Sequence, residues 1–217
     1  MHQRLTRRLQ RRLAVWERER SQALTVRSGD ALSREFAFFG EGSVILHPWR
    51  LLGNTQAVSI GAGTRIRHGV QFEALAPPGS VIIDIGPNCH LASNIRIVAV
   101  NGVVLEEGSG VADNVFLADT IHDYRTVEEG APNWTAGLKL GKPLIIRRGV
   151  WIGTNSVVTG GIEIGENAII APCTVVSRDV PANSLVVGNP SYVQRIRRPD
   201  GTWEWLDERD RRERPTA

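Results

Sequence analysis

His122 stands in the stretch FLADTIHDYRT, residues 116–126, with Asp119 three residues before it and Asp123 directly after it. These residue types can move protons. A neutral imidazole accepts a proton near pH 7, and a positioned base is worth roughly 10²–10⁴ in rate. A neighbouring carboxylate would fix its tautomer, and the sequence offers Asp119 and Asp123 without choosing between them. His47, His68 and His90 read as solvent-facing or satisfied residues. His68, His90 and His122 together invite a zinc site with an open water position, but they occupy different places in the pattern described next, and no two are close in sequence. Cys89 and Cys173 show neither metal-ligand spacing nor a disulfide framework, so the expectation is a reduced, cytoplasmic setting without a metal.

The chain around His122 keeps a period of six. Ile60, Ile66 and Phe72 form one set, Ile85, Leu91 and Ile97 a second, and Leu105, Val111 and Leu117 a third. Ile146, Ile152, Val158, Ile164, Ile170 and Val176 then follow without a slip. This period matches neither a 3.6-residue helix nor a hairpin meander. It is that of a parallel β-helix, in which three hexads close one coil of 18 residues and each repeated apolar side chain points inward. Small residues that often follow, as in IGAGTR, LASNIR and IGENAI, suit tight corners. Two segments break the rhythm. Residues 73–84 are a Pro/Gly-punctuated loop, and residues 118–145 form a longer one that carries His122. A loop of that length on a regular scaffold is commonly functional.

The totals fit one domain with appendages. The chain has 217 residues, 41% apolar and 23% charged, 22 glycines and a formal net charge of +3. No apolar run reaches the ~18 residues of a membrane span. Residues 1–30 are read as a basic amphipathic helix, with Leu5, Leu9, Leu13 and Trp16 spaced three and four apart among seven arginines. It would pack as a cap, the sharper alternative being contact with an anionic membrane surface. Nucleic acid is not expected, because no aromatic residues interleave with the arginines. Residues 31–197 form the β-helix domain. The charged tail 198–217 is expected to make a short strand or helix and then fray.

The stretch GVWIGTNSVVTGGIEIGENAIIAPCTVVSRDVPANSLVVGNPSYVQRIR, residues 149–197, resembles the hexapeptide-repeat acyltransferases, among them the galactoside and maltose O-acetyltransferases. The pattern extends over roughly residues 60–197. The resemblance implies an all-β, left-handed parallel β-helix, a hand the six-residue period does not itself carry. It further implies acetyl-CoA as co-substrate and a homotrimer with sites between subunits. His122 lies five residues after the inward Leu117, and the family places its catalytic histidine at that offset, so the resemblance makes His122 the general base.

Carried over in the same way, Ala112, Thr154 and Pro172 would line the pantetheine arm, Pro172 through its carbonyl alone. Ser177, Arg178 and Arg195 would contact coenzyme A, with Tyr192 where a second basic contact is common. Asn94 and Asp119 would bind the acceptor. Trp151 would pack on a trimer neighbour, and Cys173 would be structural. No Ser-His-Asp order or activated cysteine is present, so the implied chemistry is direct transfer to a hydroxyl of a sugar or sugar-containing acceptor. The galactoside enzymes' acceptor contacts do not carry over, because IVAVNGVV is apolar where an acidic contact belongs. The alternatives are a γ-type zinc hydratase like carbonic anhydrase, and a scaffold without catalysis.

Overall fold

The computed structural model describes residues 2–77 and 79–206 and, within the N-terminal helix, the side chains of residue 10 and of residues from 12 onwards. The six-residue period becomes a β-solenoid. Strands of two to four residues stack in parallel into three faces. The first face contains Val58–Ile60, Ile83–Ile85, Val103–Leu105, Leu144–Ile146 and Glu163–Ile164. The second contains Arg65–Ile66, His90–Leu91, Gly110–Val111, Trp151–Ile152 and Ile169–Ile170. The third contains Gln71–Ala74, Arg96–Ala99, Phe116–Ala118, Val157–Thr159 and Val175–Val176.

Every one of the fifteen apolar residues named from the period is fully buried. In the last coils, Ile146 pairs with Ile164, Ile152 with Ile170 and Val158 with Val176, each 18 residues on. Earlier coils are longer. Ile60 pairs with Ile85, Ile85 with Leu105, and Leu105 with Ile146. The extra residues all leave at one corner, between the third face and the first, so the other two corners keep their register.

Those corners explain the small residues. At several positions directly after an inward residue, a side chain would strike the next coil. A Cβ on Gly61 would lie 2.4 Å from the Pro87 nitrogen, and one on Gly165 would lie 2.4 Å from that of Ala182. Two residues further on, the backbone enters the left-handed region at Asn88, Asn94, Asn114, Asn155, Asn167 and Cys173. Asparagine tolerates that conformation better than most side chains. On the corner between the second and third faces these residues stack. Asn94 donates its side-chain amide to Asn114 Oδ1, and Asn114 donates to Asn155 Oδ1, each at 3.1 Å. Cys173 completes this column, with φ of 58°.

The N-terminal end differs from the sequence expectation. The N-terminal helix, His2–Leu24, stops six residues before the expected boundary, and Val26–Arg27 already pairs antiparallel with Val44–Ile45. The helix is anchored where it meets the solenoid: Ser21 Oγ donates to the His47 carbonyl and Trp49 Nε1 to that of Leu24. Leu13 and Trp16 are more than half exposed, so the expected packing face is uncovered in a single chain. The side chains of Leu5 and Leu9 lie outside the described residues. No described helix is long and apolar enough to cross a membrane. At the other end, Ser184–Val187 continues the second face, and Tyr192–Arg197 and Trp203–Trp205 add two antiparallel strands. The expected tail is therefore a strand at its start; its remainder, 207–217, lies outside the described residues.

Candidate active site

The segment that breaks the period is an arm rather than an irregular loop. It leaves the solenoid after Ala118 and re-enters at Leu144. His122–Asp123 and Gly137–Leu138 pair antiparallel, with His122 opposite Leu138. Beyond them, Asp123 Oδ1 accepts the Arg125 amide and opens a short 3-10 turn. The Thr126 hydroxyl accepts the Gly137 amide across the hairpin. The pairing gives His122 a defined backbone although its side chain is exposed.

His122 Nδ1 lies 2.8 Å from the carbonyl oxygen of Ala136, a buried residue directly before the returning strand. A carbonyl only accepts, so Nδ1 carries the proton. In the neutral ring, Nε2 then holds the lone pair. Neither proposed carboxylate orients the ring. The Asp123 side chain caps the turn, and Asp119 is buried and committed elsewhere. Its oxygens accept the backbone N–H groups of Val100, Asn101 and Gly102. This corrects the reading of Asp119 as the carboxylate that orients the ring. It holds the neighbouring corner, and Asn101 Oδ1 in turn accepts the Gly141 amide of the arm.

The remaining candidates fall into three groups. Ala112, Thr154 and Pro172 stack on the corner between the second and third faces, with the Cys173 amide donating to the Thr154 carbonyl at 2.9 Å. The Ala112 amide is taken by Ile152 O, so Ala112 offers no free backbone donor. On the same corner Asp113 accepts the Ser93 amide, which holds its carboxyl below the usual range. Asn94 is a rung of the asparagine column on this corner, away from the root of the arm, and its amide is spent on Asn114. Ser177 and Arg178 lie instead at the corner from which the arm springs, both exposed. Arg195 lies on the added strand of the second face, its guanidinium carbon 3.4 Å from the centroid of the Trp205 ring. Trp151 is 46% exposed on the second face, covering Gly110 of the coil below. Cys173 is exposed.

One cavity of about 330 Å³ opens at the root of the arm. It is lined by Asp119, Thr120, Ile121, Lys139, Leu140, Gly141, Lys142, Thr159, Gly160, Gly161, Ile162 and Ser177. Sequence reasoning missed Lys139 and Lys142. A usable signal was present: they are the only lysines among 26 basic residues. Among the described residues no three His, Cys, Asp or Glu side chains gather as a metal site, and His68 and His90 stay exposed on the solenoid while His122 is on the arm.

Comparison with known proteins agrees with this architecture. Residues 143–178 match the bacterial transferase hexapeptide family, described as six repeats. The chain is 33% identical over 114 residues to nodulation protein L of Rhizobium meliloti, covering 52% of this chain and 58% of that protein. It is 33% identical over 113 residues to the galactoside O-acetyltransferase of Escherichia coli, covering 52% and 53%. The chain thus spans little more than half the length of the curated relatives it matches. Among solved structures, a variant of AntD, an N-acyltransferase from Bacillus cereus in complex with dTDP and coenzyme A, superposes with a TM-score of 0.67. The identity there is 20%, over 80% of this chain and 91% of that one.

Proposed function

We propose, from a chain built on the hexapeptide repeat of bacterial transferases, that the protein is an acetyl-CoA-dependent O-acetyltransferase acting on a hydroxyl of a sugar or sugar-containing acceptor. The observation that carries this reading is the bond from His122 Nδ1 to the Ala136 carbonyl. It leaves Nε2 as the proton acceptor of a neutral ring on an exposed arm.

In the proposed reaction, Nε2 takes the acceptor's hydroxyl proton as the oxygen attacks the thioester carbonyl. The tetrahedral intermediate then collapses, breaking the carbon–sulfur bond. The imidazolium returns the proton to the departing thiolate. The Ala136 carbonyl, still accepting from Nδ1–H, favours the positive ring during that interval. No acyl-enzyme is needed, because donor and acceptor are held together. Two names bear on the class: the galactoside O-acetyltransferase supports a sugar hydroxyl, while AntD, an N-acyltransferase similar in fold, keeps an amine in view as acceptor.

The reading includes a homotrimer. Thr154 and Pro172 lie on one corner, and the arm with Ser177 and Arg178 springs from another, with the third face between them. Apposition of two copies would bring one corner of each to a shared donor groove. The test of the base is His122→Ala, followed by release of free thiol from acetyl-CoA over a panel of sugars and amino sugars. Turnover falls by roughly 10²–10⁴ while coenzyme A affinity holds. A folded variant with native turnover overturns the assignment, and the acceptor that responds separates hydroxyl from amine.

A further inference from the structure

The geometry points to the cavity at the root of the arm as a binding subsite for a phosphate-type anion, with Lys139 and Lys142 as its cationic ligands and Thr159 and Ser177 as its hydroxyl ligands. Four observations converge on it. First, the chain's two lysines, three residues apart in sequence, line the same cavity of about 330 Å³. Second, neither is paired with a carboxylate among the described residues, whereas the arginines of the nearby coils are. Arg147 joins Glu106 and Glu163, Arg148 joins Glu166, and Arg96 joins Glu73. Third, among the described residues the Thr159 and Ser177 hydroxyls, which also line the cavity, have no protein partner. Fourth, Gly160 at the same wall carries no side chain to fill it.

The charge balance supports an anion. Asp119 also lines the cavity, but its carboxylate is taken up by the amides of Val100, Asn101 and Gly102. Asp119 keeps its charge, so the two lysines leave the lining residues with a net charge of about +1, two cations against one carboxylate. An ammonium is a compact point charge suited to phosphate, and hydroxyls can donate to the same oxygens.

The lysine-bearing segment is also held in place. The Gly141 amide donates to Asn101 Oδ1 at 3.1 Å, and the Lys139 amide donates to Ile121 O at 2.8 Å. The Lys142 backbone lies so close to Gly161 that a Cβ there would come within 2.2 Å of the Lys142 carbonyl oxygen. Both lysine backbones are thus set by the fold, leaving their side chains free to close on a ligand.

The phosphate could belong to the acyl donor, in which case the inference rests on the acyltransferase reading, or to the acceptor. The test is calorimetric titration of the full chain, at low ionic strength, with sodium pyrophosphate, coenzyme A and pantetheine. The native chain is compared with paired Lys139→Met and Lys142→Met and with the paired lysine-to-arginine variant. Both lysines are exposed, so the substitutions leave the core untouched. Loss of two charge-assisted contacts weakens anion binding by about tenfold or more, and arginine restores most of it.

If coenzyme A weakens while pantetheine does not change, the phosphate is the donor's. If pyrophosphate weakens while coenzyme A holds, it is the acceptor's. A methionine pair that binds both as the native chain does overturns the subsite. Absence of acyl transfer in the native chain would instead sink the acyltransferase reading and leave the pyrophosphate result standing.

Discussion

The Asp119 carboxylate accepts the backbone N–H of Gly102 at 2.5 Å, across 17 residues of sequence. Through that bond and those to Val100 and Asn101, one buried charge holds the corner beside the arm. The corner then holds the arm, because Asn101 Oδ1 accepts the Gly141 amide and Gly102 O accepts the Leu144 amide at 2.8 Å.

Asp119→Ala should therefore unfold more easily and loosen the arm. Removing the acceptor leaves three amides without a partner, at a cost of about 3 kcal/mol or more. Urea denaturation reads the loss, and limited proteolysis should cut between 119 and 143 before the solenoid opens. Native stability in the variant would refute the capping role.

The asparagine column separates two costs. Asn114 has φ of 59° and makes bonds to both Asn94 and Asn155. Asn114→Ala loses the bonds and strains the backbone, whereas Asn114→Gly loses only the bonds. The alanine variant should be less stable than the glycine variant by about 1 kcal/mol, after glycine's own entropic cost. Equal denaturation midpoints would show that the backbone conformation is not limiting.

Gly161→Ala should push the Lys142 segment outward, since the new Cβ meets the Lys142 carbonyl. The expected cost is about 1–3 kcal/mol, typical of forced overpacking. Unlike Asp119→Ala, it should leave the 100–102 corner protected in amide hydrogen exchange.

Arg195 and Trp205 face each other across the last two strands. A double-mutant cycle of Arg195→Met and Trp205→Leu should give a coupling of about 1 kcal/mol for the stacked pair. A coupling near zero would mean that the closing strands are held by their backbone bonds alone.

Glu73 gives a pH signature. Its carboxylate bonds to Arg96, which holds its pKa below the ordinary 4.5, against the opposing effect of burial. A depressed folded pKa adds stability that is fully present above the unfolded value and is lost as pH falls through the folded one. Glu73→Gln should thus be less stable than the native chain at pH 7, by no more than about 1 kcal/mol because the pair is partly exposed. The gap should close in acid below pH 4.5, and a gap that persists there would contradict the linkage.

How far the sequence reaches can be followed residue by residue. Ile152 and Ile170 declare their burial and their stacking, because the inward position of a solenoid admits only apolar side chains and recurs at a fixed interval. The same interval places Thr154 beneath Pro172. Asp119 could not be read correctly. Its neighbours along the chain are Ala118 and Thr120, while the amides it serves belong to a two-residue lengthening of the previous coil, which shifts no inward residue out of phase with its own set. Ala136 was equally hidden, because any residue can offer a backbone carbonyl and only the antiparallel pairing of the arm brings this one to His122.

The sequence by itself determined the repeat, the inward residues, the corner at which the period fails and the histidine carried there, because a short translational period is a local property of the chain. The tertiary structure decided the rest: which tautomer His122 holds, that Asp119 caps a corner rather than orienting the histidine, and that Lys139 and Lys142 share a cavity with Ser177. Each of these depends on groups from different coils meeting at one corner, and the lengths of the insertions at that corner set which groups meet.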